Sequence, residues 1–208
     1  ASGLSFKLFP RGEEWCCGFP LIQAGKKQEM EKLIEHNQEK IKEAGAETVV
    51  FACPSCYHTW REIYKTDAEL VHSSQFIERL INEEKIVFNN GFNKTVTYHD
   101  PCDLGRNSGI YDPPRNILKK IPGLKLVELE NSRQLSVCCG GGGDLEMIDP
   151  ELSAAIAQRK IEEIQRTGAE EVVTSCQQCI RTISGYSRRH KIKLKVKDIT
   201  EVVLEAMG

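Results

Sequence analysis

The chemistry of this sequence lies in its cysteines. Nine occur in 208 residues, and eight of them form two matching sets: Cys16, Cys17, Cys53, Cys56 and Cys138, Cys139, Cys176, Cys179. Cys102 precedes the second set. Each set is an adjacent pair followed by glycine (Gly18 or Gly140) and then a distant Cys-x-x-Cys, with 35 residues between Cys17 and Cys53 and 36 between Cys139 and Cys176. Thiolates at this density and in this order are soft ligands for a metal ion or an iron–sulfur cluster.

The residues around the cysteines suggest further roles. The run Gly140–Gly143 lets backbone come close to a bound group and turns N–H groups toward sulfur. It lacks the Lys-Ser/Thr of a phosphate-binding loop, which excludes a nucleotide cradle of that type. His99 and Arg106 flank Cys102. His99 is a candidate proton donor to a thiolate product and Arg106 a candidate clamp for an anionic substrate tail. The plainer alternative is that Asp100-Pro101 turns the chain and Arg106 pairs with a carboxylate. Trp15 and Phe19 bracket the first pair as shields against water, and His58 reads as an exposed helix residue.

These residues need a scaffold, and the scaffold also repeats. Gly45-Ala46-Glu47-Thr48-Val49-Val50-Phe51-Ala52-Cys53 matches Gly168-Ala169-Glu170-Glu171-Val172-Val173-Thr174-Ser175-Cys176 at an offset of 123 residues. A repeat of this length reads as a duplicated domain. The expected division is residues 1–90 and 91–208, joined near 84–94 where Asn89-Asn90-Gly91 supplies turn chemistry. Apolar positions 30, 33, 34, 41 and 44 predict a helix over 27–44, interrupted at Asn37 and Gln38 and stopped by Gly45. The second half predicts a helix from Pro150 with a stripe of Leu152, Ile156, Ile161 and Ile164, ended by Gly168.

Short strands are expected at 48–52, 69–71, 95–99, 172–173 and 192–196, and further helices at 57–65, 75–82, 180–190 and 199–206. Lys193, Lys195 and Lys197 alternate with Ile192, Leu194 and Val196, which suggests an edge strand guarded by lysines. The fold class is therefore α/β: two pseudo-repeated βαβ-type, Rossmann-like halves with mostly parallel sheets. Ligands bind such sheets off the carboxyl ends of the strands, where Cys53, Cys102 and Cys176 all fall.

Charge is balanced, with 28 basic against 30 acidic residues, so no nucleic-acid partner is expected. No apolar run approaches the ~20 residues of a membrane span, so membrane association is expected only through a partner. An odd cysteine count in a helix-rich chain argues for a reducing, cytoplasmic compartment. A leader cysteine like Cys102 would fall upstream of the first residue for the first set, which suggests a chain cut from a longer polypeptide inside the first repeat. The opening Ala1–Leu8 reads as a helix end running into a strand.

The duplicated pattern is similar to the CCG (cysteine-rich) domains of heterodisulfide reductase-like iron–sulfur oxidoreductases. The likeness rests on Glu13-Glu14-Trp15-Cys16-Cys17-Gly18, on Tyr98-His99-Asp100-Pro101-Cys102-Asp103-Leu104-Gly105-Arg106 and on Cys138-Cys139-Gly140-Gly141-Gly142-Gly143. It implies that Cys102, Cys138, Cys139, Cys176 and Cys179 are the five ligands of a non-cubane [4Fe-4S] cluster. Cys16, Cys17, Cys53 and Cys56 would be four members of a second set, for which zinc is the alternative, since four thiolates complete a tetrahedral zinc. Asp103 departs from the family, which often has His there.

The resemblance further implies a module that passes electrons from a flavoprotein or ferredoxin-type subunit to a small-molecule or protein disulfide. The alternatives are an electron-relay subunit of a lactate/glycolate-type dehydrogenase and a structural zinc scaffold.

Overall fold

The computed structural model describes residues 3–10 and 12–208. Among them, α1 (Phe19–Gln23), α2 (Lys27–Ala44), β1 (Thr48–Phe51), α3 (Pro54–Ile63), β2 (Glu69–His72) and α4 (Ser73–Asn82) come first. Then follow β3 (Thr95–His99), α5 (Asp112–Lys120), β4 (Lys125–Val127), α6 (Leu145–Ile148), α7 (Pro150–Arg166), β5 (Glu171–Thr174), α8 (Gln177–Arg189), β6 (Lys195–Asp198) and α9 (Ile199–Met207). All strand pairings among these elements are parallel: a two-stranded sheet β1-β2 and a four-stranded sheet in the order β4-β3-β5-β6. This is the expected α/β class, and β1-α3-β2-α4 repeats as β5-α8-β6-α9.

The central strands follow from composition. β5 is buried along its length and β3 nearly so, as parallel strands covered by helices on both faces must be. One face packs Val96, Tyr98 and Val173 against Leu80 of α4, Ile117 and Leu118 of α5 and Val202 and Val203 of α9. The other packs Val172 against Ile161 and Ile164 of α7 and Ile183 of α8. A third cluster gathers Met30, Ile41, Phe51, Trp60 and Tyr64 with Leu104 and Ile110, the latter pair from the turn after Cys102. Gly45 and Gly168 follow their helices at φ +61 and +67, as expected of left-handed helix ends.

Several expectations need correction. The last strand begins at Lys195 rather than Ile192, because residues 192–194 turn back on α8 through Ile192 N–H to Ser187 O. Lys197 is no solvated edge lysine: it is 3% exposed and lies between Glu171 (3.2 Å) and Glu205 (2.5 Å). Leu152 lies outside the buried stripe of α7, which runs through Ser153, Ala157, Lys160, Ile161 and Ile164. α1, α5, β4 and α6 are additions to the expected elements. Of Ala1–Leu8, Ala1 and Ser2 lie outside the described residues, and residues 3–8 form neither helix nor strand. Among the described residues no helix is long and apolar enough to cross a membrane.

Candidate metal centre

Each Cys-x-x-Cys sits where a strand hands over to a helix. β1 ends at Phe51, Cys53 caps α3 and Cys56 lies in its first turn. β5 ends at Thr174, Cys176 caps α8 and Cys179 lies in its first turn. Both helices start earlier than expected, between the two cysteines of each motif. Their unpaired N–H groups and positive dipole ends therefore face the thiols, which favours thiolate. The adjacent pairs lie on loops whose glycines turn back: Gly18 N–H reaches Cys16 Sγ (3.4 Å) and Gly140 N–H reaches Cys138 Sγ (3.3 Å).

The structure brings each set together. All nine thiols are free. In the first set Cys17 and Cys53 flank Cys56 and raise its pKa. Cys17 is lowered to about 7 and Cys53 to about 6, in each case chiefly by the bond from Cys56. In the second set Cys139 is held well below the usual thiol range by bonds from Cys138 and then Cys179. Cys179, bonded also to Cys176, is pushed up. Cys102 stands beside this group: although the residue reaches the surface, its thiol is crowded by protein, and that desolvation pushes its pKa up to about 11, with the charges of Asp103, Cys139 and Cys176 adding to the rise. Cys16, Cys102 and Cys138 are exposed, whereas Cys17, Cys139, Cys176 and Cys179 are buried. Each site is a sulfur-lined cup with thiols at its rim, a donor set that fits a thiolate-ligated centre.

The loop that carries the first pair is held by residues that looked like a flaw in the helix pattern. Asn37 of α2, buried, donates to Cys16 O (3.2 Å) and to Tyr64 Oη (3.1 Å), and Tyr64 Oη donates to Cys17 O (3.1 Å). In the second half Ser153 Oγ donates to Gly140 O (2.7 Å). The first two glycines of the run are tightly packed, whereas Gly142 and Gly143 are exposed. A Cβ on Gly140 would lie 2.6 Å from Ser153 O, and one on Gly141 would lie 1.9 Å from Thr182 Oγ1. Trp15 stacks on His36 with ring centroids 3.7 Å apart and is 43% exposed, while Phe19 packs into the first-half core. His58 is half-buried, not exposed.

Around Cys102 the candidates separate. His99 is buried at the end of β3, its ring against Cys139 and Cys179. Among the described residues Arg106 pairs with no carboxylate; it donates to Ser136 O (2.8 Å) and Gln134 O (3.4 Å), in the segment leading to Cys138. Asp100 does more than turn the chain. It is buried and takes a two-pronged bond from Arg115 (2.7 and 2.8 Å) and the N–H of Arg133 (2.8 Å). Ser136 Oγ donates to Asp100 O (3.2 Å), so the strand end and the approach to Cys138 form one web.

Sequence reasoning missed Arg115, which stands outside any motif and 15 residues from its partner Asp100. It also missed Ser55, whose hydroxyl binds Asp103. Asp103 itself, the departure from the family pattern, accepts from Ser55 and from Asn107 Nδ2 (2.8 Å).

Residues 3–61 and 96–184 match the cysteine-rich domain family designated CCG. The chain is 36% identical over 215 aligned residues to one component polypeptide of the dihydromethanophenazine:CoB–CoM heterodisulfide reductase of Methanosarcina barkeri, covering 99% of this chain and 52% of that protein. It is 32% identical to a component polypeptide of the fumarate reductase (CoM/CoB) of Methanothermobacter marburgensis, with 90% of this chain and 38% of that protein aligned. A probable iron-sulfur-binding oxidoreductase of Bacillus subtilis is 27% identical, with 99% of this chain and 30% of that protein aligned. The chain thus spans about half, or less, of the length of the curated relatives it matches.

Proposed function

The chain belongs to the CCG cysteine-rich domain family, and from that premise we propose that it is an iron–sulfur oxidoreductase module of heterodisulfide reductase type. In this reading it receives electrons from a flavoprotein or ferredoxin-type subunit and delivers them to a disulfide. The observation that carries the reading is the meeting of Cys139 and Cys179, buried with their sulfurs within 4.8 Å of each other, with Cys176 buried and Cys102 and Cys138 exposed around them. These five residues are the ligands of a non-cubane [4Fe-4S] centre. Such a cluster, when bound, supplies one-electron transfer and iron with affinity for a sulfur ligand.

The chain's own residues do the rest. Cys102 and Cys138 lie at the exposed rim, where a disulfide can approach. Cys139 and burial hold the Cys138 thiol well above its usual range, and the Gly140 N–H directed at its Sγ offsets only part of that rise. Arg106, committed to the Gln134 and Ser136 carbonyls, holds the loop that delivers Cys138 instead of clamping a substrate tail.

The two repeats divide at about residue 90, and α4 of the first packs into the core of the second. Cys16, Cys17, Cys53 and Cys56 form the centre of the first repeat. Four converging thiols, with no fifth among the described residues, suit a four-thiolate zinc as well as a cluster. The compartment is cytoplasmic, and any membrane association runs through a partner.

The test is anaerobic reconstitution with iron and sulfide, read by metal and labile-sulfide analysis and by electron paramagnetic resonance. A cluster signal lost in Cys139→Ser supports the reading. Stoichiometric zinc with no labile sulfide sinks it.

A further inference from the structure

We infer that Asp100 and Arg115 are positioning residues of the second site: they fix the gap between the exposed thiols of Cys102 and Cys138, where a disulfide would meet the centre. The inference rests on the proposed reading of that site and adds the brace that keeps its mouth at one width.

The two cysteines come from separate pieces of chain. Cys102 follows β3, while Cys138 ends the segment after β4, whose regular structure among the described residues is a 3-10 turn at Arg133–Leu135. Such backbone has no ladder to place it, so side-chain anchors must. Asp100 lies two residues before Cys102, and Ser136 two residues before Cys138. The Asp100 carboxylate accepts the Arg133 N–H (2.8 Å), and the Asp100 carbonyl accepts the Ser136 hydroxyl (3.2 Å). Arg106, four residues after Cys102, adds bonds to the Gln134 and Ser136 carbonyls. The approach to Cys138 is therefore registered on the chain that carries Cys102.

Arg115 holds the Asp100 carboxylate still. Arg115 is 1% exposed and Asp100 3%. All five guanidinium N–H groups are engaged: two by Asp100 (2.7 and 2.8 Å), two by Glu128 (2.7 and 2.8 Å) and one by the Tyr111 carbonyl (2.9 Å). A two-pronged charged pair sets direction as well as distance. Glu128 opens the same segment, so Arg115 grips its start directly and its far end through Asp100.

Backbone strain lies at that far end. Arg133 has φ +56, a left-handed conformation that is costly for a residue with a Cβ and persists only where its surroundings over-determine it. Here the strained residue is the one whose N–H the buried carboxylate holds. Among the described residues the first repeat has no equivalent: it buries no carboxylate, and Asn37 holds the Cys16 carbonyl directly.

The test uses the whole chain, metal-free, reduced and anaerobic. Dibromobimane, a short thiol-to-thiol cross-linker, joins Cys102 to Cys138, and peptide mass spectrometry follows the product. Asp100→Asn and Arg115→Lys, which keeps the charge but loses the fork, are compared with Glu171→Gln. Glu171 is a buried ion-pair partner at the opposite end of the sheet. Cross-linking should slow by about tenfold or more in the first two and keep the wild-type rate in the third. Unchanged rates in the first two overturn the inference, and so does equal slowing in all three, which reports general loosening. Amide hydrogen exchange needs no variant: an Arg133 N–H as protected as β3 supports the brace, and exchange at the rate of an open loop overturns it. Iron and sulfide reconstitution of the same proteins, read by electron paramagnetic resonance, separates this inference from the proposed function. A cluster signal altered in Asp100→Asn and Arg115→Lys but not in Glu171→Gln supports both. The cross-linking contrast with no cluster in any protein leaves the positioning role standing alone. A cluster of one signal in all, with cross-linking unchanged, leaves the proposed function standing alone.

Discussion

Ser55 Oγ donates a 2.5 Å hydrogen bond to Asp103 Oδ2. The residue between Cys53 and Cys56 is thereby tied to the residue after Cys102, joining the two thiol sets. Gln177 Nε2, beside Cys176, adds a second tie at Ala52 O (3.1 Å). Asp103 also acts on its neighbour: after burial, its charge is the largest influence raising Cys102 to about 11. Asp103→Asn should therefore shift the alkylation profile of Cys102 in metal-free protein to lower pH and speed its reaction near pH 9 by about threefold to tenfold. Site-resolved mass spectrometry across pH reads this directly. An unmoved profile would remove the carboxylate from the account of Cys102.

Asn37→Leu repairs the apolar stripe of α2 on paper and should nevertheless destabilise the protein. Asn37 donates to both Cys16 O and Tyr64 Oη, and leucine leaves both acceptors without that donor in a part-buried setting. The expected loss is about 1–3 kcal/mol in urea denaturation. Metal uptake by the first set should weaken while that of the second is unchanged; equal weakening of both would refute a local role.

That residue also marks what the sequence could and could not reveal. The α/β class and most elements were legible because the repeat and the hydrophobic periods speak at short range: α2 and β3 fall where expected. The convergence of each cysteine set was legible because strand ends in a parallel sheet share one edge. Asn37 read as a defect because its partners, Cys16 and Tyr64, are 21 and 27 residues away. α5 and β4 were invisible for lack of a counterpart in the first half to align with. The β6 boundary slipped because alternation over 192–196 continues into a turn that pairs with nothing in the sheet.

Gly140→Ala and Gly18→Ala, equivalent by repeat, should differ in cost. Both glycines have positive φ, +89 and +83, which costs an alanine about 1–2 kcal/mol at either site. At Gly140 the new methyl also meets a carbonyl oxygen, Ser153 O, at 2.6 Å; at Gly18 it meets only the Met30 side chain at 2.9 Å, which can swing aside. Gly140→Ala should be the more destabilising by about 1–3 kcal/mol and should impair metal binding at the second set. Thermal or chemical denaturation of the pair decides it, and equal losses would mean that α7 yields as readily as a methionine.

His72 should make the metal-free fold acid-sensitive. It is fully buried at the end of β2, and burial lowers its pKa from 6.5 to about 4. Its Nδ1 accepts from Ser74 N–H (3.2 Å) as the cap of α4, which requires the neutral ring. The unfolded chain takes up a proton below about pH 6.5 and the folded chain only near pH 4. Stability is therefore full above about pH 6.5, declines as pH falls through that window, and levels off below it. The total is about 3 kcal/mol at 1.36 kcal/mol per unit. Carboxylates titrate at the lower end of the same range, so the informative quantity is the difference from His72→Asn, which keeps a capping acceptor and takes up no proton. Urea denaturation at pH 7 and pH 5 should show wild type losing more stability than the variant, by about 2 kcal/mol, which is 1.36 kcal/mol for each of the roughly 1.5 units between pH 6.5 and pH 5. Parallel losses in the two would mean that the folded ring already accepts the proton.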